Sequence, residues 1–378
     1  MINFDNAATT GKKPPGVIRA VENALYNLSA NPGRGGHALS LKAGEAVYAA
    51  RNKIADFFGA SGGEHVIFTA NCTAAVNYVL KGFLKPGDHI IVSDLEHNAV
   101  MRPLQKIKGI EISVAEVSLV SNDVTLKNFE NLIKENTKMV FCTAASNVCG
   151  RALPLYGIGK LCRERGIAFG VDAAQAAGIV PIDMKKQKID YLCVAPHKGL
   201  YAPMGLGVLI AEKEIGDTLI EGGTGTNSER FYQPESMPER YESGTVNLPA
   251  IMGTAAGIDF VKDNMAKNYR KEMRLIRRIY VALDKMPYII LYTPYMENEM
   301  YLPVLSFNIV GVQSEEVAEY LNRRGVAVRA GLHCAPAAHR KLGTGNTGTV
   351  RIAPSVFNGM EDAEYLVKIL NNYKYIKK

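Results

Sequence analysis

Short apolar runs alternate with longer, mixed stretches from about residue 17 to residue 246. They are Val66-Ile67-Phe68, Ile90-Ile91-Val92, Met139-Val140-Phe141, Ala168-Phe169-Gly170-Val171, Tyr191-Leu192-Cys193-Val194 and Gly207-Val208-Leu209-Ile210. Runs this short and continuous, separated by helix-length segments, predict strands of a mostly parallel α/β sheet flanked by helices. Several end on polar or ionisable residues: Ser93-Asp94 through His97, Ser146-Asn147, Asp172 and His197-Lys198. Open parallel sheets bind their ligands beyond the carboxyl ends of the strands. A helical segment over 248–285 then leads to a smaller α+β unit, with strand-like pieces at 304–309 and 326–329 around a helix over 314–324. The expected division is a large unit over 16–250 and a small one made of 1–15 with 251–378.

The chain has 378 residues, 47% of them hydrophobic, enough to bury a sizeable core. No apolar run approaches the roughly 18 to 20 residues that cross a bilayer. The first residues, Met1-Ile2-Asn3-Phe4-Asp5-Asn6, lack the basic start and apolar stretch of a secretory signal, so a cytoplasmic location is expected. The formal charge is +7, but cations and acids are interleaved, and the densest cationic stretch, 267–278, has helical spacing. That predicts a solvated helix face and not a nucleic-acid surface. The six cysteines form no CxxC pair, which opposes both a disulfide framework and a zinc ribbon. Gly33-Arg34-Gly35-Gly36 and Gly222-Gly223-Thr224-Gly225 do not follow a strand in a GxGxxG frame; they are expected to shape the entrance of a site instead.

The most informative pair is Asp172 and Lys198, an acid and an amine at the ends of neighbouring apolar runs. Alone, such an Asp caps a helix and such a Lys is solvated. Together they are the two fixed groups that pyridoxal phosphate needs, an amine to carry its aldehyde carbon and a carboxylate to keep its pyridine nitrogen protonated. A helix opening at Thr73 suits the phosphate, since its free amides and dipole attract anions. Cys72, at the same place, is expected to give its backbone amide, because a phosphate there opposes a thiolate. Cys142 and Cys193 lie in apolar strands and Cys162 in a helical stretch, so burial explains them. Cys149, beside Asn147, falls near the proposed site but is not expected to have a functional role. Cys334 stands in a polar loop, Arg329-Ala330-Gly331-Leu332-His333-Cys334-Ala335, where His333, Arg329 and His339 are expected to favour its thiolate. His333, Cys334 and His339 match no strong zinc spacing, and no metal is expected.

The landmarks run in order along the chain: Asp5-Asn6-Ala7-Ala8-Thr9-Thr10, Cys72-Thr73 through Asn77, Glu96-His97-Asn98-Ala99, Ser146-Asn147-Val148, Asp172 through Gln175, His197-Lys198, Glu242-Ser243-Gly244-Thr245, the Cys334 loop and Thr349-Val350-Arg351. With them the sequence resembles, over nearly its whole length, the cysteine desulfurases and selenocysteine lyases of the class V aminotransferase group, within fold type I pyridoxal-phosphate enzymes. The resemblance implies that Lys198 carries the cofactor, Asp172 pairs with its pyridine nitrogen, Gln175 reaches its ring hydroxyl, and His97 stacks on the ring and moves protons. Cys72, Thr73 and His197 would hold the phosphate. Thr245 would reach the phosphate of the other subunit in a homodimer. Asn147 would support substrate and cofactor, and Arg351, beside Arg329, would clamp the substrate carboxylate through a guanidinium fork.

Cys334 would take sulfur from L-cysteine as a persulfide, leaving L-alanine. The short connection from Cys334 to Arg351 resembles group II desulfurases, which implies a persulfide held near the pocket and collected by an acceptor protein. A selenocysteine lyase acting on L-selenocysteine, and a sulfur-transfer scaffold without catalysis, are the alternatives. Two positions depart from the family pattern. Ala195 stands where a phosphate-binding hydroxyl is usual, and Gly199 is inserted after the lysine, so the backbone there is expected to bend differently.

Overall fold

The computed structural model describes residues 1–33, 35–296 and 299–373. Its strands are β1 (Ile2–Asn3), β2 (Val66–Thr69), β3 (His89–Ser93), β4 (Glu111–Ala115), β5 (Thr137–Thr143), β6 (Ala168–Asp172), β7 (Tyr191–Val194), β8 (Gly207–Ala211), β9 (Ile289–Leu291), β10 (Leu305–Ile309), β11 (Val326–Ala327), β12 (Arg329–Gly331) and β13 (Thr349–Ile352). Seven of them form one sheet in the order β2-β8-β7-β6-β5-β3-β4. Only β8 opposes its neighbours; every other pair is parallel. The expected mostly parallel sheet is therefore present. All residues of β3, β6, β7 and β8 are buried, because helices cover both faces of such a sheet.

The chain leaves β3 for β4 on one side and returns to place β5 on the other. Between β3 and β5 the strand order reverses, which opens a crevice at their carboxyl ends. Since β2 and β7 both oppose β8, the strands β2, β3, β5, β6 and β7 all point their carboxyl ends at this same edge.

β4 has no counterpart among the apolar runs. It is an edge strand, Glu111-Ile112-Ser113-Val114-Ala115, with only Ala115 buried, so it needs no continuous apolar sequence. The smaller sheet has the order β12-β13-β10-β9 and is antiparallel throughout. Its core, with Phe4, Ile276, Phe307, Val350 and Leu366, is separate from the core of the large sheet.

The single strand expected over 326–329 is split. Val326–Ala327 pairs with β1, while Arg329–Gly331 pairs with β13. The helical stretch expected over 248–285 is two helices, Leu248–Lys262 and Met265–Leu283. They part at Asp263 and Asn264, whose short polar side chains compete for backbone groups. On the second helix Lys267, Arg270, Lys271 and Arg274 are exposed opposite buried Met273, Leu275 and Ile276, the solvated face that the spacing predicts. Among the described residues no helix is long and apolar enough to cross a membrane.

Candidate active site

The strand ends enclose a cleft of about 130 Å³ lined by Asn71, Cys72, Thr73, His97, Thr143, Asn147, Asp172, Gln175, Ala195, His197 and Lys198, among others. Eight of the residues expected to act on cofactor or substrate thus meet in one cavity, together with Ala195. Arg329, Cys334, Arg351 and Thr245 do not line it. Cys334 instead lines an adjoining groove together with Thr73 and His97.

Lys198 is half-buried by exposure, and loss of solvent around its amine lowers its pKa; Asp172 pulls it back, while Arg351 and Arg329 push it further down. Asp172 is buried at the end of β6, and its Oδ1 accepts from the Ala174 N–H at 2.9 Å. The Cys72 thiol also points at Oδ1, 3.8 Å away. Burial and then the Asp172 charge raise the Cys72 pKa well above the usual thiol value.

Helix Cys72–Phe83 is capped by Asn71, whose Oδ1 accepts from Ala74 N–H at 2.9 Å and whose carbonyl accepts from Ala75 N–H. The cap uses the third and fourth amides and leaves those of Cys72 and Thr73 for an anion. An anion site, a carboxylate and a desolvated amine in one cleft match phosphate, pyridine nitrogen and aldehyde, so the residues fit pyridoxal phosphate.

His97 caps helix Asn98–Leu104, its Nδ1 accepting from the Ala99 N–H at 3.0 Å. The ring proton therefore sits on Nε2. Burial lowers the His97 pKa, and the neutral ring can serve as a flat platform. His197 Nδ1 lies 3.0 Å from Thr9 Oγ1, and burial pushes its pKa down to about 4. Gln175 Nε2 donates to the Ala7 carbonyl at 3.0 Å. The start of the chain therefore braces two cavity residues.

Cys334 is exposed at the head of a loop in which both His333 (φ 49°) and Cys334 (φ 56°) adopt the left-handed conformation. Each such non-glycine residue costs of order 1–3 kcal/mol. Two hydrogen bonds from the cavity walls hold the loop: Asn98 N–H to the Cys334 carbonyl and Asn147 Nδ2 to the His333 carbonyl, both 2.7 Å. Arg329 Nη2 stands 3.8 Å from Cys334 Sγ.

The expected help from His333 and His339 is corrected here. Both rings are buried and stacked on each other, and burial pushes their pKa values to about 3 and 4. They are neutral, and of the three cations proposed to favour a thiolate only the Arg329 guanidinium remains. Among the described residues no group of three His, Cys, Asp or Glu is placed to hold a metal ion.

Arg351 is almost fully buried. Its Nη2 pairs with Asp5 Oδ1 at 2.8 Å and its Nη1 donates to the Asn147 carbonyl at 3.0 Å, while Nε has no partner. Arg329 lies directly opposite it across β12 and β13. Thr245 is exposed, 3.5 Å from Asn31 Nδ2. The Gly222 to Gly225 segment lies in the connection after β8 and is not among the residues that line the cleft. In the other glycine segment Arg34 lies outside the described residues.

Three residues that build the site carry no local signal of their role in the sequence. Asn71 supplies the cap, Asp5 holds Arg351, and Glu96 lies buried beneath the cleft. Glu96 Oε1 accepts from Ser93 and from the Thr143 N–H, its Oε2 has no partner, and burial pushes its pKa up to about 8. Asp5 and Glu96 stand inside quoted motifs, but their partners are far away in sequence. Ala195 lines the cleft and offers no hydroxyl. At Gly199 a Cβ would come within 2.2 Å of the Ala177 carbonyl, so the turn after Lys198 rests directly on another backbone and admits only glycine.

The sequence pattern of the family Aminotransferase class-V matches residues 2–366. The chain belongs to the class-V aminotransferase family. Within it, the relatives are cysteine desulfurases. A probable cysteine desulfurase of Pyrococcus abyssi is 34% identical over 98% of this chain and 93% of the relative. The cysteine desulfurase of Haloferax volcanii is 30% identical over 98% and 89%. The apo structure of the cysteine desulfurase from Thermococcus onnurineus NA1 superposes with a TM-score of 0.90 at 32% identity, covering 98% of this chain and 94% of that one.

Proposed function

We propose that this chain is a pyridoxal-phosphate-dependent cysteine desulfurase that converts L-cysteine to L-alanine and keeps the sulfur on Cys334 as a persulfide. The observation that carries this reading is the placement of Cys334. It is exposed and faces an arginine, and its loop is tied to the His97 helix and to Asn147 in the wall of the Lys198 cleft.

When bound, pyridoxal phosphate supplies an electron sink for density drawn from the substrate's Cα. The amides of Cys72 and Thr73 and the Thr73 hydroxyl would hold its phosphate, with Thr245 of the partner subunit replacing the hydroxyl that Ala195 lacks. Asp172 would pair with the pyridine nitrogen, and Gln175 with the ring hydroxyl. Lys198 would carry the cofactor and, with its lowered pKa, accept the Cα proton. Arg351, through Nε, and Arg329 orient the substrate carboxylate.

Cys334 Sγ, as thiolate, attacks the substrate sulfur. An S–S bond forms as the C–S bond breaks, and the carbon released takes a proton to become the methyl group of alanine. The enzyme works as a homodimer in the cytoplasm and passes the sulfur to an acceptor protein.

Cys334→Ala tests the reading. The variant is expected to bind cofactor and L-cysteine as the wild type does, judged by the absorbance of the bound cofactor, and to lose most alanine formation from L-cysteine. Unchanged alanine formation removes Cys334 from the reaction. Activity on L-selenocysteine, run in parallel, separates the lyase alternative.

A further inference from the structure

The groove that begins at Cys334 runs between three helices, Cys72–Phe83, Asn98–Leu104 and Pro336–Lys341, and has a volume of about 790 Å³. Lys81, Arg102, Lys106 and Arg340 line it and are all exposed, and no residue lining it is acidic. Among the described residues none of these four cations is in an ion pair. Neighbouring Lys341 shows what the surface does elsewhere, since it pairs with Asp94 at 2.8 Å and Glu116 at 3.4 Å. Four uncompensated cations along one concave face make a local positive field, which gathers and orients anionic partners.

We infer that this groove docks an acidic, thiol-bearing segment of the protein that accepts sulfur from Cys334. The inference rests on the proposed persulfide at Cys334 and adds the partner's chemistry and its path of approach. Charge alone fits nucleic acid as well. What decides between them is the end of the groove: a cysteine that holds sulfur needs a partner with a thiol, and nucleic acid has none.

The transfer balances without any added oxidant or reductant. The acceptor thiolate attacks the outer sulfur of the Cys334 persulfide, a new S–S bond forms on the acceptor, the S–S bond at Cys334 breaks, and Cys334 leaves as thiolate. The apolar lining, including Met101 and Pro103, gives the segment's backbone and aliphatic groups a surface on which to lie.

The test uses the cofactor-loaded enzyme with L-cysteine and two synthetic peptides of equal length. Each has one cysteine, flanked by glutamates in one and by lysines in the other. Mass spectrometry first confirms sulfur on Cys334 and then follows its arrival on the peptide. At low salt the acidic peptide is expected to accept sulfur at least about tenfold faster, an advantage that fades by about 200 mM salt as the screening length shortens to under about 10 Å.

Lys106→Glu with Arg340→Glu should abolish that advantage and leave alanine formation driven by dithiothreitol unchanged. Equal rates for the two peptides overturn the inference, as does a double variant that slows the dithiothreitol reaction equally. If the same two substitutions instead release a labelled single-stranded oligonucleotide while the acidic peptide shows no advantage, the groove belongs to nucleic acid. Absence of sulfur on Cys334 in the first step overturns the proposed function, and the inference with it.

Discussion

Asp5 is the residue whose removal says most about how Arg351, the arginine proposed for the substrate carboxylate, is held. Its carboxylate lies 2.8 Å from Arg351 Nη2, with the arginine side chain 1% exposed and the aspartate 28%. At that distance the attraction is about 6 kcal/mol for an effective dielectric of 20 and about 1.5 kcal/mol in a water-like medium. The partly open aspartate puts the net effect near the lower figure, about 2 kcal/mol, because Asp5→Ala leaves a buried guanidinium without its counter-charge. With about 2.1 cal/mol/K of unfolding entropy per residue, a chain of 378 residues should then melt about 2 to 3 °C lower.

The larger effect is expected on substrate. Arg351 loses the anchor that fixes its fork, so KM for L-cysteine rises about tenfold, equivalent to about 1.4 kcal/mol, while kcat at saturation changes little. Asp5→Asn, which keeps an acceptor oxygen but no charge, should fall between. Scanning calorimetry and steady-state alanine formation measure both. An Asp5→Ala enzyme with wild-type melting temperature and KM would show that Arg351 is held by Asn147 and its surroundings alone.

Borohydride reduction followed by peptide mass spectrometry should place the cofactor mass on Lys198; another lysine, or none, refutes the assignment of the cleft. Thr73→Val should weaken cofactor retention about tenfold or more, as a hydrogen bond to a charged group contributes about 1.5–3 kcal/mol; equal affinity in a titration of the apo-protein would place the phosphate elsewhere. Glu272, buried in helix Met265–Leu283, has its pKa raised from 4.5 to about 8 by burial. The folded chain thus holds this proton more tightly than the unfolded chain, so the contribution is full below pH 4.5 and stability is lost as pH rises towards about 8. Glu272→Gln should therefore flatten the fall in melting temperature between pH 6 and pH 8, and an unchanged slope would show that the buried carboxyl titrates normally.

The parts of the site that were legible in the sequence are those fixed by local position. Asp172 and Lys198 follow apolar runs directly, and a residue that ends a strand of a parallel sheet falls at the ligand edge whatever the details. Thr73 and His97 were legible for the same reason, each at a helix start just beyond a strand. Interactions between distant segments were not legible. Nothing near Asp5 in sequence announces Arg351, 346 positions away, and nothing about His333 and His339 announces that their rings stack out of solvent instead of facing Cys334. Edge strand β4 escaped because exposure relieves it of the apolar pattern, and the helix break at Asp263 because two polar residues are common within helices as well.

The arginines proposed for the substrate and the lysine proposed for the cofactor come from different sheets, so the proposed site exists only if the two sheets keep their relative position. The first ten residues link them. Ile2 and Asn3 pair with β11, and Asp5 bridges to Ala353 just past β13. The same segment then crosses to the large sheet, where the Ala7 carbonyl holds Gln175 and the hydroxyls of Thr9 and Thr10 bond the His197 carbonyl at 3.1 Å. Each of these bonds ends on a cavity residue or its immediate neighbour. Asp5 therefore does two things at once, pairing with Arg351 and sitting midway along a strap whose length sets the distance from Arg351 to Lys198. A motif that reads as a run of small polar residues thus acts through geometry, because its hydrogen-bonding groups alternate between the two halves of the molecule.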